Sequence, residues 1–252
     1  MDGTGPQSYG EAFADVYDEW YADVSDTEGT VARLASLAAG RPVLELGIGT
    51  GRLALPLAAA GTNVSGIDAS PAMVARLAAK PGGDRIDVTV GDMADVEALA
   101  PPAGARFGVV FAAFNTLFNL TDPTAQQRCL RGAAARLEPD GCVVVEANVF
   151  DPEPEPREAL TVRSTEPGRV VLSVSRADPA TQTVTGQFVD LVDGATVRLR
   201  PWSLHYASPE QLDDLAAGAG LTLAARWGGW RDEPFTDASA LHVSIYRLTD
   251  RS

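Results

Sequence analysis

The sequence predicts an α/β protein with a doubly wound, mostly parallel seven-stranded sheet, its last strand antiparallel, and a small antiparallel β lid inserted after the fifth strand. Three observations predict this fold. Strand-like and helix-like segments alternate from residue 30 to 150, with Gly, Pro and Asp at the junctions. After the acidic, proline-rich stretch 151–156, four strand-like segments follow without helices between them. A helix and two strands then resume near residue 207.

The alternating region predicts five strands and four helices in turn. Gly40 is a C-terminal stop for the first helix, and Ser70 with Pro71 forms the N-terminal start of the third. Strands that alternate with helices indicate right-handed crossovers and a parallel sheet covered on both faces. The predicted strands are 42–46, 62–67, 85–90, 107–113 and 141–147, and the predicted helices are 31–39, 52–60, 71–79 and 123–137.

The segment 151–206 predicts a separate antiparallel meander, because short polar turns such as Asp193-Gly194 join segments of alternating hydropathy. Ser208-Pro209-Glu210 then begins a helix that returns the chain to the core. An insertion at the carboxyl edge of a parallel sheet is expected to cover the ligand crevice. The core is therefore 1–150 with 207–252, and the meander is a lid, with strands 160–164, 170–176, 181–192 and 195–206 and returning core strands 221–227 and 241–248.

Composition restricts the partners. The chain has 34 acidic and 20 basic residues, a formal charge of −14, which disfavours nucleic acid and favours a small-molecule acceptor. The first residues lack the pattern of a secretory signal, and no apolar run reaches the roughly 18 residues of a membrane span, so we expect a cytoplasmic protein. Cys129 and Cys142 form neither a disulfide framework nor a metal-binding set, so no metal is predicted. Whether the chain forms a homodimer stays open.

The stretch "LELGIGTGR" at 44–52 joins a predicted strand to a helical pattern. The dinucleotide-binding fingerprint would require a third glycine where Arg52 stands, so that interpretation fails. The sequence has instead an acid-x-Gly-x-Gly-x-Gly pattern that begins at Glu45. Asp68 ends the next strand, where a carboxylate can accept hydrogen bonds from ribose hydroxyls.

Four motifs in order carry a family resemblance: "VLELGIGTG" at 43–51, "GIDASPAMV" at 66–74, "GDMADV" at 91–96 and "ARFGVVFAAFNTLFNL" at 105–120. They resemble the class I S-adenosylmethionine-dependent methyltransferases, which have a Rossmann-like fold. The resemblance spans about residues 9 to 248. The sequence pattern particularly resembles that of small-molecule methyltransferases of actinomycete secondary metabolism, including sugar N-methyltransferases.

The resemblance implies S-adenosylmethionine as cofactor and S-adenosylhomocysteine as product. The acid and the glycine turn would hold the methionine end, Asp68 the ribose, and Met73 the adenine face, although Met73 also suits a core position. Asp92, with Met93 beside it, would meet the adenine edge. A helical segment at 9–21 would cover the cofactor, or could be a plain amphipathic face. The implied cofactor-binding residues are Tyr9, Tyr17, Glu45, Gly47, Gly49, Gly51, Asp68, Ala69, Met73, Asp92 and Met93.

The acceptor side is less defined. The segment after the fourth strand lacks the Asn/Asp-Pro-Pro-aromatic signature of nucleic-acid amino methyltransferases. Asn115 and Thr116 could orient the acceptor or simply cap the loop. Five lid arginines are expected on a solvated face, with an anionic acceptor as the alternative: Arg163, Arg169, Arg176, Arg198 and Arg200. The acceptor-binding candidates are Tyr21, Phe114, Asn115, Thr116, Trp202, Trp230 and Arg231, with Phe235 at the rim.

Three residues are candidate general bases: His242, His205 and Glu146. The predicted reaction is methyl transfer to an O, N or C atom of a small metabolite, in natural-product biosynthesis. The same cofactor site could also serve an enzyme that catalyses a cyclisation or rearrangement without methyl transfer. A non-catalytic binding protein would be expected to have damaged cofactor motifs, which this sequence does not have.

Overall fold

The computed structural model describes residues 5–22, 24–102, 104–150 and 155–249. Its helices are α1 (Ser8–Phe13), α2 (Tyr17–Trp20), α3 (Thr27–Ala38), α4 (Ala54–Ala59), α5 (Pro71–Ala78), α6 (Val96–Leu99), α7 (Pro123–Ala135) and α8 (Pro209–Ala217). Its strands are β1 (Val43–Leu46), β2 (Val64–Asp68), β3 (Asp87–Val90), β4 (Phe107–Ala112), β5 (Leu137–Asn148), β6 (Arg157–Glu166), β7 (Arg169–Asp178), β8 (Thr183–Val192), β9 (Arg198–His205), β10 (Leu221–Trp227) and β11 (Leu241–Leu248).

The large sheet has seven strands in the order β10-β11-β5-β4-β1-β2-β3. Its first five strands in sequence are parallel, and β11 runs antiparallel to both β5 and β10. The carboxyl ends of β1, β2 and β4 therefore meet at one edge, where the motifs lie. This arrangement confirms the predicted fold class.

Two apolar clusters cover the faces of this sheet. One packs α7 and α8 against β4 and β5, with Phe107, Leu130 and Leu212 almost free of solvent contact. The other packs α3 and α4 against the opposite face, around Leu34 and Leu57. Burial of this kind contributes roughly 1.5–3 kcal/mol for each large apolar side chain and fixes which face each helix occupies.

Local capping fixes where the helices begin. Ser70 accepts a hydrogen bond from Met73 N at the start of α5, and Pro71 fills the first position. Ser208 and Gln211 form a reciprocal capping box at the start of α8. These caps place the amino end of α5 directly after β2, beside the edge that carries the motifs.

The lid is the second sheet, four antiparallel strands in the sequential order β6-β7-β8-β9. Its inner face buries Val171, Phe188 and Arg200 against α1 and α2, while Leu160 and Val162 on β6 are exposed. β6 and β7 are longer than predicted, because backbone pairing continues past the polar residues that suggested turns, whereas β8 and β9 begin two or three residues later than predicted. No helix among the described residues has the length and apolarity needed to cross a membrane.

Candidate functional site

The glycine loop leaves β1 in a backbone conformation that favours glycine. Gly47, Gly49 and Gly51 have φ values of 66°, 56° and 82°. A Cβ at Gly47 would stand 2.5 Å from the Thr116 methyl group, and one at Gly51 would collide with Leu77. Gly49 has no such obstruction, so its bare backbone faces open space.

Asp68 fixes this loop from the end of β2. Its Oδ2 accepts a hydrogen bond from Gly49 N at 2.7 Å, and its Oδ1 accepts one from Ser70 N at 2.8 Å. Each carboxylate oxygen keeps a further lone pair for a ligand hydroxyl. Burial raises the pKa of Asp68, while both backbone donors oppose that rise.

A pocket opens beside the loop. Most of the cofactor residues implied by the resemblance line it: Tyr9, Tyr17, Gly47, Gly49, Asp68, Ala69, Met73, Asp92 and Met93. Phe114 and Thr116, expected on the acceptor side, also line it. Met73 is 2% exposed and packs with Phe13, so its core role and its place at the pocket coexist. Sequence reasoning did not single out Pro6, Gly10, Ile67, Asn119 and Leu120, which also line the pocket; only Asn119, in the motif at 105–120, has a polar side chain that could have signalled it.

Glu45 lies behind the loop, 5% exposed and outside the pocket lining. Burial raises the pKa of its carboxyl to about 8; Arg52 and the backbone amide of Ala54 oppose the rise, and Asp68 adds to it. Its Oε2 has no hydrogen-bond partner among the described residues. A buried carboxylate oxygen without a donor fits the ammonium group of S-adenosylmethionine, which could donate the missing hydrogen bond.

The amino-terminal segment covers the pocket with aromatic rings. Tyr9 Oη donates to Tyr21 Oη at 3.3 Å, Tyr21 stacks on Tyr17 at 4.7 Å, and its ring edge meets Phe114 at 6.0 Å. Burial raises the pKa of Tyr9, and it raises that of Tyr17 to about 12. Both phenols are therefore neutral near pH 7. Gly10 allows this cover to lie close, because a Cβ there would be 2.3 Å from Ser70 Cβ.

The expectation that all five lid arginines lie on a solvated face is wrong. Arg200 is 5% exposed and donates to Asp15 and to the Ala12 carbonyl, and Arg198 also pairs with Asp15. Carboxylates in α2 and β8 form ion pairs with Arg169. The guanidinium of Arg163 lies over the rings of Trp20 and Tyr21.

These contacts fasten the inner face of the lid to the amino-terminal segment. Arg176 pairs instead with Glu158 of β6; its side chain is 59% exposed and borders the larger cavity described next.

A second cavity of about 800 Å³ lies where the lid meets the core. Trp202 and Gln187 belong to its lid wall, and Leu120 and Ala125 to its core wall. Trp202 Nε1 has no hydrogen-bond partner among the described residues. The two cavities share Pro6, Tyr9, Asp92, Asn119 and Leu120, so they are contiguous.

Several acceptor candidates support the pocket wall from behind. Glu146 Oε2 accepts from Phe114 N at 2.7 Å, and its Oε1 accepts from Trp230 Nε1 at 2.9 Å. Asn115 Oδ1 accepts from Asn148 N at 2.7 Å, which makes Asn115 a loop cap. Arg231 pairs with acids at the start of α3. None of Glu146, Asn115, Trp230 or Arg231 is among the residues that line either cavity.

The histidines also lie apart from both linings. His242 is fully buried, its Nδ1 is 2.9 Å from Ser244 Oγ, and Phe235 packs against its ring. Burial lowers the pKa of His242 to about 4, and Arg226 adds to the fall. His242 pairs with Ala147 in the sheet, so it faces away from Glu146. His205 ends β9, where Gln126 binds its carbonyl.

Both histidines are candidate bases in the sequence, and neither is among the residues that line the two cavities. Strand alternation turns His242 to the α8 side of the sheet, where its ring meets Phe235, and this also removes Phe235 from the rim. The backbone contact of His205 with α7 places the end of β9 against the core.

Comparisons with known proteins identify the family of this chain. Residues 43–141 match a family model described as a methyltransferase domain. The chain is 31% identical over 244 residues to the cypemycin N-terminal methyltransferase of Streptomyces sp, covering 93% of this chain and 95% of that protein.

Solved structures give the same result. The CcbJ methyltransferase from Streptomyces caelestis is 38% identical with a TM-score of 0.87, covering 98% of this chain and 100% of that one. CalS10 from Micromonospora echinaspora, solved with S-adenosylmethionine bound, shares the fold at a TM-score of 0.65 and 23% identity, covering 91% and 96%. On its motifs, its sheet order and these similarities, this chain belongs to the class I S-adenosylmethionine-dependent methyltransferases.

Proposed function

We propose that the enzyme transfers the methyl group of S-adenosylmethionine to a small metabolite in natural-product biosynthesis. Of the possible O, N and C acceptor atoms, we propose an amine nitrogen. The similar cypemycin enzyme is named for N-terminal methylation, which supports an amine. The larger cavity adds support, because, among the described residues that line it, Asp92, Asp122 and Glu158 outnumber the basic residue Arg176. Carboxylates favour an acceptor that arrives with a positive charge.

The observation that carries the proposal is the junction of the two cavities. A donor beside the glycine loop and an acceptor under the lid would meet at Tyr9, Asp92 and Asn119. Methyl transfer is an in-line displacement, so holding nucleophile, methyl carbon and sulfur in line supplies much of the acceleration. Contiguous cavities would hold the donor and the acceptor in that alignment.

S-adenosylmethionine supplies a methyl carbon already activated by its sulfonium group. The protein's residues bind and shield it: Glu45 would take the ammonium, Asp68 the ribose hydroxyls and Asp92 the adenine edge. Tyr9 and Tyr17 would close the pocket to water with neutral phenol rings. A neutral amine needs no base to attack, so a protein base is required only to remove the proton an amine carries in water.

Methyl transfer can be tested with methyl-labelled S-adenosylmethionine and matched primary amine, secondary amine, alcohol, phenol and carbon-acid acceptors. We expect label in the amine products, with one S-adenosylhomocysteine for each methyl group transferred. Product formed without S-adenosylhomocysteine would indicate the cyclisation or rearrangement alternative instead. Transfer to oxygen or carbon alone would refute the choice of nitrogen.

The donor site can be tested separately by calorimetry. We expect Asp68→Ala to weaken S-adenosylmethionine binding strongly, because both the ribose contact and the brace on Gly49 are lost. Asp84→Ala, a change at an exposed acid outside the pocket, is the matched control and should leave the affinity unchanged. Absence of binding in the wild type, or an Asp68→Ala variant that binds normally, would overturn the donor assignment.

A further inference from the structure

The outer face of the lid is apolar and exposed to solvent. Cross-strand pairing from β6 to β9 aligns one row of apolar residues: Val162, Leu172, Val189 and Leu199. The neighbouring rows on the same face are Leu160, Val174, Gln187 and Pro201 on one side, and Val170 with Leu191 on the other. Phe188, next to Val189, points to the buried inner face, so these rows point outward. We call these ten residues the apolar face.

The apolar face is unusual for a solvated sheet. One face of an antiparallel sheet normally packs on the core while the other carries polar residues. Here the polar residues form a row that borders the apolar face: Glu158, Arg176, Thr185 and Ser203. Several large side chains of the apolar face are between 36% and 67% exposed: Leu160, Val162, Val174, Leu191 and Leu199. An exposed apolar centre with a polar border is typical of a protein interface.

The lid is large enough for a stable interface. Strands β6, β7 and β8 have ten residues each. At about 3.3 Å per residue and about 4.8 Å between strands, the outer surface of the lid measures roughly 33 Å by 19 Å, or about 600 Å² before side-chain relief. This area is close to the roughly 800 Å² that each protein buries in a standard interface.

Charge decides which surface fits the apolar face. None of its ten residues is charged, and at its border Arg176 pairs with Glu158. Anionic membranes and nucleic acids are bound through clustered Lys and Arg, which this face does not offer. Another uncharged sheet fits it, because two sheets pack face to face with interdigitating side chains. The chain carries a formal charge of −14, so two copies repel each other least where their uncharged faces meet.

We propose that two copies of this chain form a dimer in which the apolar faces of their lids pack against each other about a twofold axis. Each copy buries the same residues, as an isologous interface requires. Four residues of the apolar face also line the larger cavity: Val174, Gln187, Val189 and Pro201. The second copy therefore borders the cavity proposed for the acceptor and helps to close it. The dimer does not depend on which atom is methylated.

Analytical ultracentrifugation over a range of protein concentrations tests the proposal. We expect wild-type protein at twice the 26.4 kDa mass of one chain. Val162→Glu and Leu199→Glu each place a carboxylate in the central row, at exposed positions that line neither cavity. Each should weaken dimerisation at least about 100-fold, because like charges meet across the twofold axis. Val90→Glu, at an exposed valine on β3, is the matched control and should dimerise as the wild type does.

Calorimetry with S-adenosylhomocysteine checks that each variant keeps a folded donor pocket, and its affinity should be unchanged. A wild type that is monomeric at every concentration would overturn the proposal, and its cosedimentation with phosphatidylcholine vesicles would identify a lipid surface instead. A dimer that persists in both Val162→Glu and Leu199→Glu would also overturn it, because the contact would then use another face. A dimeric wild type that transfers no methyl group would refute the proposed function alone.

Discussion

Glu45 should make cofactor binding depend on pH. Burial raises the pKa of its carboxyl to about 8, so most ligand-free molecules hold it protonated at pH 7. Pairing with an ammonium requires the ionised form. Binding should therefore release nearly one proton at pH 7, and affinity should rise with pH until the carboxyl is ionised in the free enzyme.

The size of the effect follows from the same pKa. Each pH unit below it costs roughly 1.4 kcal/mol of ionisation free energy, so lowering the pH from about 7.5 to about 6.0 should weaken S-adenosylhomocysteine binding roughly 20-fold. The free energy of unfolding of the ligand-free enzyme changes in the opposite direction and falls as pH rises. A raised folded-state pKa stabilises the ligand-free enzyme at low pH, and that contribution is lost as pH rises through about 8.

Titration calorimetry at both pH values, in two buffers of different ionisation enthalpy, measures the affinity and the proton release together. Glu45→Gln should bind with little pH dependence. Glu146→Gln, which changes a buried carboxyl with both oxygens already bonded, is the matched control and should keep the wild-type slope. A wild-type affinity independent of pH, or the full slope in Glu45→Gln, would refute the reasoning.

Three further predictions, one of them with a matched control variant, test other parts of the structure. Gly47→Ala should weaken cofactor binding and cost about 1–2 kcal/mol from positive φ alone, with more from the Thr116 contact; normal calorimetry and an unchanged Tm would contradict this. Arg200→Ala should cost about 1.5–3 kcal/mol in urea unfolding, because it removes a buried guanidinium that hydrogen-bonds Asp15 and the Ala12 carbonyl. The exposed Arg198→Ala should cost less than about 1 kcal/mol, and equal costs would contradict the distinction. Glu146→Gln should cost about 1–3 kcal/mol yet leave the pH profile of methyl transfer unchanged, whereas a shifted profile would restore Glu146 as a base.

The fold could be predicted because local signals repeat with the correct period. Caps such as Ser70 and Ser208 marked helix starts, and apolar runs marked the buried strands. The ends of strands were harder to predict. Leu137 pairs with Phe107, so β5 begins four residues before the start predicted at residue 141. Tertiary pairing overrides a local turn preference at such positions.

The donor side of the site could be predicted because its residues follow consecutive strand ends, which the sheet brings together. The acceptor side depends on contacts between distant segments. Glu146 binds an amide 32 residues away and an indole 84 residues away, and Arg200 meets Asp15 across 185 residues. None of these three sequence separations has a signature in the sequence. The sequence shows the carboxylates that neutralise the lid arginines, but it does not show which arginine each carboxylate pairs with.

The central claim is that a donor pocket and an acceptor cavity meet so that a methyl group passes between them. The most direct test is the ratio of S-adenosylhomocysteine formed to methylated amine formed in one reaction, measured by mass spectrometry. The account predicts equal amounts, with the product heavier than the acceptor by one methyl group. Acceptor converted without S-adenosylhomocysteine, or without that mass increase, would contradict it.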